Sequence, residues 1–96
     1  MITREKAIEA LKTCKDPELD VDVWTLGLIY TIKLDKNIVN ITMTFTSPMC
    51  PYGPLLVEQI KGAVKRAGAV EVKIQITFDP MWKPSEEVKE LLGMSE

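Results

Sequence analysis

Residues 28–45 read LIYTIKLDKNIVNITMTF. In the first half Leu28, Tyr30, Ile32 and Leu34 alternate with Ile29, Thr31 and Lys33. In the second half Val39, Ile41, Met43 and Phe45 alternate with Asn40, Thr42 and Thr44. A period of two is the signature of a β-strand. Asp35, Lys36 and Asn37 between the halves supply hairpin-turn chemistry. The stretch therefore predicts two antiparallel strands, each with one apolar and one largely polar face.

Upstream, Thr3 is placed to cap a helix with Glu5 in its first turn, near the positive end of the helix dipole. Ala7, Ile8, Leu11 and Cys14 follow at helical spacing, and Pro17 predicts a stop near Lys15. Residues 16–27, DPELDVDVWTLG, read as irregular, with one helical turn around Val23–Leu26 closed by Gly27. Downstream, Leu56, Ile60, Ala63, Val64 and Ala67 form one helical stripe that Gly68 ends. VEVKIQITF then puts Val70, Val72, Ile74, Ile76 and Phe78 on one face of a third strand. DPMWKP leads into a short helix with Ser85 as cap and Gly93 as stop. The order α-β-β-α-β-α with half-apolar strands predicts a two-layer α+β domain, its helices on one face of an open sheet. Strand order does not follow from this pattern.

The 96 residues are expected to form one domain spanning 1–96. Twelve basic residues are scattered among 14 acidic ones, a net charge of −2. Without a basic cluster to displace counterions, nucleic acid is excluded as a partner. The glycines at 27, 53, 62, 68 and 93 also lack the Gly-x-x-Gly spacing of a K-homology loop. No apolar run approaches the roughly 20 residues that span a bilayer. MITREKAIEA has no signal-peptide core, so a cytoplasmic protein with no membrane association is expected.

Chemistry concentrates at residues 46–54, TSPMCPYGP. Cys50 lies between the second strand and the long helix, where free N–H groups and the helix dipole lower a thiol pKa. A start at Pro51 would leave Pro54 one place too deep, where a backbone bond is lost; starting the helix at Gly53 or Pro54 avoids this and leaves Cys50 a few residues upstream. From position alone, Cys50 reads equally as a packed side chain or a functional thiolate. Cys14 falls on the apolar stripe of the first helix and reads as packing. The chain has no histidine, so a Cys–His catalytic pair is impossible within it. Asp16, Glu18 and Asp20 are the carboxylates that a folded-over loop would bring near Cys50, though turn and cap chemistry explains them as well. Anions raise a thiol pKa, so thiolate and carboxylates together make better sense around a cation.

DPEL at 16–19, LGLIY at 26–30, TSPMCP at 46–51 and FDPMW at 78–82 together resemble the PaaD/SufT-type family of iron–sulfur cluster assembly factors. The resemblance runs from about Leu11 to Gly93. It implies a compact domain like the C-terminal domain of NifU-type scaffolds, with a small mixed sheet and a role in maturing or delivering iron–sulfur clusters. Carried over by position, it implies that Asp16 and Glu18 are the acidic loop pair, and that Thr46 and Cys50 are the threonine and reactive cysteine of the second loop. It also implies that Leu19, Leu26, Gly27 and Trp82 support the structure. Cys14 matches none of these motifs. Longer relatives add a cysteine-rich module that has no counterpart in these residues.

A cluster normally takes four thiolates, and one chain supplies one well-placed thiol, Cys50. The expectation is a transient iron–sulfur cluster or iron, held through Cys50 and passed to assembly proteins or apo client proteins. A homodimer that pairs two Cys50 residues is one arrangement that would complete the ligand set. A carrier or assembly protein is expected rather than a turnover enzyme. The rival reading is an adaptor anchored by Met81 and Trp82 of the DPMWKP turn.

Overall fold

The computed structural model describes residues 2–17, 19–46, 52–91 and 93. Its elements are α1 (Arg4–Leu11), β1 (Ile29–Asp35), β2 (Ile38–Met43), α2 (Gly53–Arg66), β3 (Glu71–Ile76) and α3 (Glu86–Leu91). The expected order holds.

The sheet has the order β1-β2-β3. β1 and β2 pair antiparallel across the two-residue turn Lys36–Asn37, whereas β2 and β3 pair parallel. A parallel neighbour demands a long crossover, and α2 provides it. Val39, Ile41 and Met43 stand opposite Val72, Ile74 and Ile76, so their side chains share one face. That face meets Ala7 and Leu11 of α1 and Leu56, Ile60 and Val64 of α2 in a common core. Each fully buried Leu or Ile contributes about 1.5–3 kcal/mol of hydrophobic stabilisation. Asn40, Thr42, Lys73 and Gln75 lie on the uncovered face. The two-layer α+β architecture read from the sequence is the observed one.

The caps are also as expected. The Thr3 hydroxyl accepts from the Lys6 N–H at 3.2 Å, and the Ser85 hydroxyl accepts from the Val88 N–H at 3.2 Å. α2 starts at Gly53 with Pro54 inside its first turn, which needs no N–H there. Gly68 follows its last turn at φ +127°.

Three boundaries differ from the reading. α1 ends at Leu11, not near Lys15, because the Cys14 carbonyl is taken by the Val23 N–H at 2.9 Å. Lys15 and Asp22 also form an isolated antiparallel bridge, which pulls the chain out of helical geometry. The strict alternation of β1 fails at Tyr30. Ile29 faces Met43 and Thr31 faces Thr42, so Tyr30 is an extra residue in a bulge. Beyond it the alternation resumes, with Ile32 opposite Ile41. Finally, Val70 is 73% exposed, since the regular ladder begins only at Glu71. Thr44, expected on the polar face, is fully buried: β2 has ended, and its N–H donates to the Leu28 carbonyl at 2.9 Å.

The C-terminal segment crosses back to β1. The Trp82 indole N–H donates to the Leu26 carbonyl at 2.6 Å, and the Tyr30 hydroxyl donates to the Pro80 carbonyl at 2.7 Å. Beneath it, the helical turn of residues 22–26 is capped by Asp22, whose Oδ2 accepts from the Thr25 N–H at 2.9 Å. Gly27 closes this turn at φ +79°.

Two substitutions test this account. An added Cβ at Gly27 meets no atom within 4 Å, so Gly27→Ala costs only left-handed backbone strain. Urea denaturation should show a loss of about 1–2 kcal/mol with an unchanged m-value. Trp82→Phe removes the donor to the Leu26 carbonyl and should cost about 1–3 kcal/mol in the same measurement. An unaltered midpoint would show that the indole bond does not hold the segment.

Candidate functional site

The segments that carry Asp16 and Thr46, the two expected site residues that are described, meet at one end of the sheet. β2 runs toward that end and leaves it at Met43, and β3 reaches it at Ile76. The Thr77 N–H donates to the Met43 carbonyl at 2.9 Å, which joins the two exits. β1 starts there, because Ile29 pairs with Met43. The turn of residues 22–27 precedes β1, and through the Cys14–Val23 bond it holds the loop that carries Asp16. α2 begins there as well. An added Cβ at Gly53 would lie 2.7 Å from Cε2 of Phe45, so the aromatic ring rests directly on the helix start. Phe45 in turn meets Phe78, with ring centroids 6.3 Å apart and planes tilted by 59°.

Asp16 is buried, at 2% exposure. Its Oδ1 accepts from the Leu19 N–H at 3.2 Å. Its carbonyl accepts from the Asp20 N–H at 2.8 Å, and its own N–H donates to the Val21 carbonyl at 3.0 Å. These bonds tie Asp16 to Leu19, Asp20 and Val21, with Asp20 in the left-handed region at φ 56°. The Asp16 carboxylate thus organises the loop from within. The Asp20 carboxylate, by contrast, is solvent-facing and lies 4.0 Å from Lys15 Nζ. Thr46 is half-buried just beyond β2. Glu18 and Cys50, the other two residues of the expected constellation, lie outside the described residues. Among the described residues no three carboxylates or thiols gather to hold a metal. Likewise, no described buried side-chain nitrogen or oxygen lacks a hydrogen-bond partner.

The N-cap residue of α2, Tyr52, makes no side-chain cap bond, and among the described residues the first intrahelical bond is Leu56 N–H to Tyr52 carbonyl at 2.9 Å. The N–H groups ahead of that bond favour negative charge at this end. In the sequence Cys50 stands two residues before Tyr52.

Cys14 is a different kind of thiol. It is fully buried behind α1, and its Sγ donates to the Ala10 carbonyl at 3.7 Å. Burial pushes its pKa above the ordinary value near 9.0; the Thr13 hydroxyl and the Arg66 charge oppose this shift, and Asp22 adds to it. Cys14 is therefore a neutral packing residue at physiological pH, as the helical stripe indicated.

Periodicity did not reveal three features: the Tyr30 bulge, the Trp82–Leu26 bond, and the seat of Phe45 on Gly53. Only the last had a local signal, a glycine at a helix start where a ring approaches closely.

The family signature for iron–sulfur cluster assembly proteins matches residues 4–78, most of the chain. The chain belongs to this family. Within it, the chain is 36% identical over 96 residues to the Fe-S protein maturation auxiliary factor YitW of Bacillus subtilis, covering 95% of this chain and 94% of that protein. A conserved hypothetical protein of Thermotoga maritima superposes with a TM-score of 0.83 at 39% identity, covering 97% of this chain and 96% of that one. The iron-sulfur cluster carrier protein of a Synechocystis strain is 30% identical over 80 residues. Those residues are 82% of this chain but 23% of the carrier, so there the matched unit belongs to a much longer polypeptide. No helix among the described residues is long and apolar enough to cross a membrane.

The contrast between the two thiols is open to a labelling experiment. In the Cys50→Ser protein, Cys14 should resist iodoacetamide at neutral pH and react fully only in denaturant, as judged by intact mass. Stoichiometric labelling of the folded variant would contradict the burial described.

Proposed function

We propose that this protein holds an iron–sulfur cluster or iron transiently, as cargo, through the Cys50 thiolate and passes it to assembly or client proteins. One observation carries the reading: the Asp16 loop, the exit of β2 and the start of α2 share one end of the sheet, in a chain of the iron–sulfur assembly family. The helix start stabilises the ionised sulfur. Asp16 keeps the first loop in shape, which sets where Glu18 is presented, and the Thr46 hydroxyl stands at the start of the segment carrying Cys50.

A single thiolate leaves most positions of the cargo open to other ligands. Such incomplete ligation suits release, because few bonds break when a partner's thiolates take over. A second copy supplying its own Cys50, or a partner protein, would complete the set. The names of the relatives support this reading. One is a maturation factor, and another is a cluster carrier with a unit like this one built into it. The relevant partners are therefore carrier and assembly proteins of the iron–sulfur machinery and the apo proteins they serve.

The adaptor reading draws on Met81, which is 68% exposed in the C-terminal segment. In that reading Cys50 only shapes its loop and the protein brings partners together. Anaerobic reconstitution with iron and sulfide separates the two. Wild type should develop visible absorption, and Cys50→Ser should lose most of it, about five-fold or more. Equal colour in both proteins would remove Cys50 as a ligand and leave the adaptor.

A further inference from the structure

Of the exposed large apolar side chains among the described residues, Tyr52, Leu55, Phe78 and Met81 belong to the segments at the loop end of the sheet, Leu34 and Val70 flank the Lys36–Asn37 turn at the opposite end, and Leu91 is the last residue of α3. Exposures of 67% for Leu55 and 68% for Met81 are high for residues that a core of this size would otherwise absorb. They are also firmly mounted. Leu55 is in the first turn of α2, seated on Phe45 through Gly53. Phe78 leans on Phe45, and the turn that carries Met81 is pinned by the Tyr30–Pro80 bond. With the backbone of these segments held, little beyond side-chain rotamer entropy is lost when a partner covers them.

We propose that this apolar rim of Tyr52, Leu55, Phe78 and Met81 is the surface on which the protein docks an iron–sulfur cluster carrier. The proposal rests on the delivery reading above and names its partner. In the Synechocystis carrier the matched unit and the remaining three-quarters are one chain, so the two are held at high effective concentration without needing an extensive interface. In YitW, of which this chain covers 94%, such a unit has no carrier of that length attached, and a unit used in that way requires a surface that brings the carrier to its loop end. Four side chains make a small interface, below about 1,200 Å², the size of transient encounters. That size suits a step in which cargo changes hands and the partners separate. The rim borders the helix start, so a docked carrier would bring its ligands to that end of the sheet.

The test uses the full-length chain, free of iron, titrated calorimetrically with the Synechocystis carrier from which the matched 80 residues are deleted. In the present fold the equivalent residues make a sheet with its covering helices, so the deletion removes a whole structural unit. Wild type should bind at about micromolar affinity, as a small interface predicts. Leu55→Glu and Met81→Glu, both at strongly exposed positions, should each weaken binding about ten-fold or more while keeping the wild-type circular dichroism and unfolding midpoint. Val70→Glu, at the far end of the sheet, should bind like wild type. Failure of wild type to bind at about 100 μM, equal binding by all variants, or rim-dependent self-association of wild type would each overturn the proposal. Because no cluster is present, the titration is independent of the reconstitution experiment. Binding through the rim together with Cys50-independent colour would leave the docking surface standing and remove the cargo reading.

Discussion

β2 is paired on both sides, antiparallel to β1 and parallel to β3, and the rest of the molecule follows from this double pairing. A parallel neighbour cannot be reached by a tight turn, so the chain must leave β2, cross the sheet in a helix and return at the other end. That requirement creates a loop at the exit of β2 and puts a helix start directly after it. The antiparallel partner begins at the same end, and its preceding turn brings the acidic loop there. A hairpin and a crossover that share one strand thus bring together segments far apart in sequence, and the apolar faces of α1 and α2 hold them against the sheet.

At this end structure and chemistry rest on the same groups. The Asp16 carboxylate bonds to the Leu19 N–H and shapes its loop, and it lies within a segment whose pattern is shared with iron–sulfur assembly proteins. The Trp82 indole ties the C-terminal segment to the turn that holds this loop. These part-buried hydrogen bonds fix the backbone of the loop and of the C-terminal segment relative to the turn of residues 22–26. Cys14 belongs to the scaffold instead: its sulfur is neutral and sealed in the core.

Much of the fold was legible because periodicity and punctuation agreed. Thr3, Ser85, Gly27 and Gly68 marked turns and caps that are present, and the stripe Leu56–Ile60–Ala63–Val64 is the buried face of α2. The errors came where tertiary bonds overrode local pattern. Cys14 continued the helical spacing of α1, but its carbonyl is claimed by Val23. Tyr30 continued the alternation of β1, yet it is extruded in a bulge, with its hydroxyl on Pro80, 50 residues away. Strand order was illegible because alternation reports which face is buried and says nothing of neighbours. For the site, residue type and position pointed to Cys50 and to the carboxylates Asp16, Glu18 and Asp20, whereas Thr46 came only from the family resemblance. The rim of Tyr52, Leu55, Phe78 and Met81 carried no such signal, since exposed apolar residues look like core residues in a sequence.

The two ladders differ greatly in the length of chain each must close. Asp35 meets Ile38 across a two-residue turn, whereas Ile38 meets Glu71 only after the 32 residues 39–70 have been looped out. By polymer statistics the longer closure costs about 2 kcal/mol more entropy than the shorter. The hairpin is thus a local structure that assembles on the microsecond scale, and the parallel ladder must wait for α2 to dock. The loop end is completed by that later event, so the end of the sheet where the exits of β2 and β3 meet is the last part of it to take shape during folding.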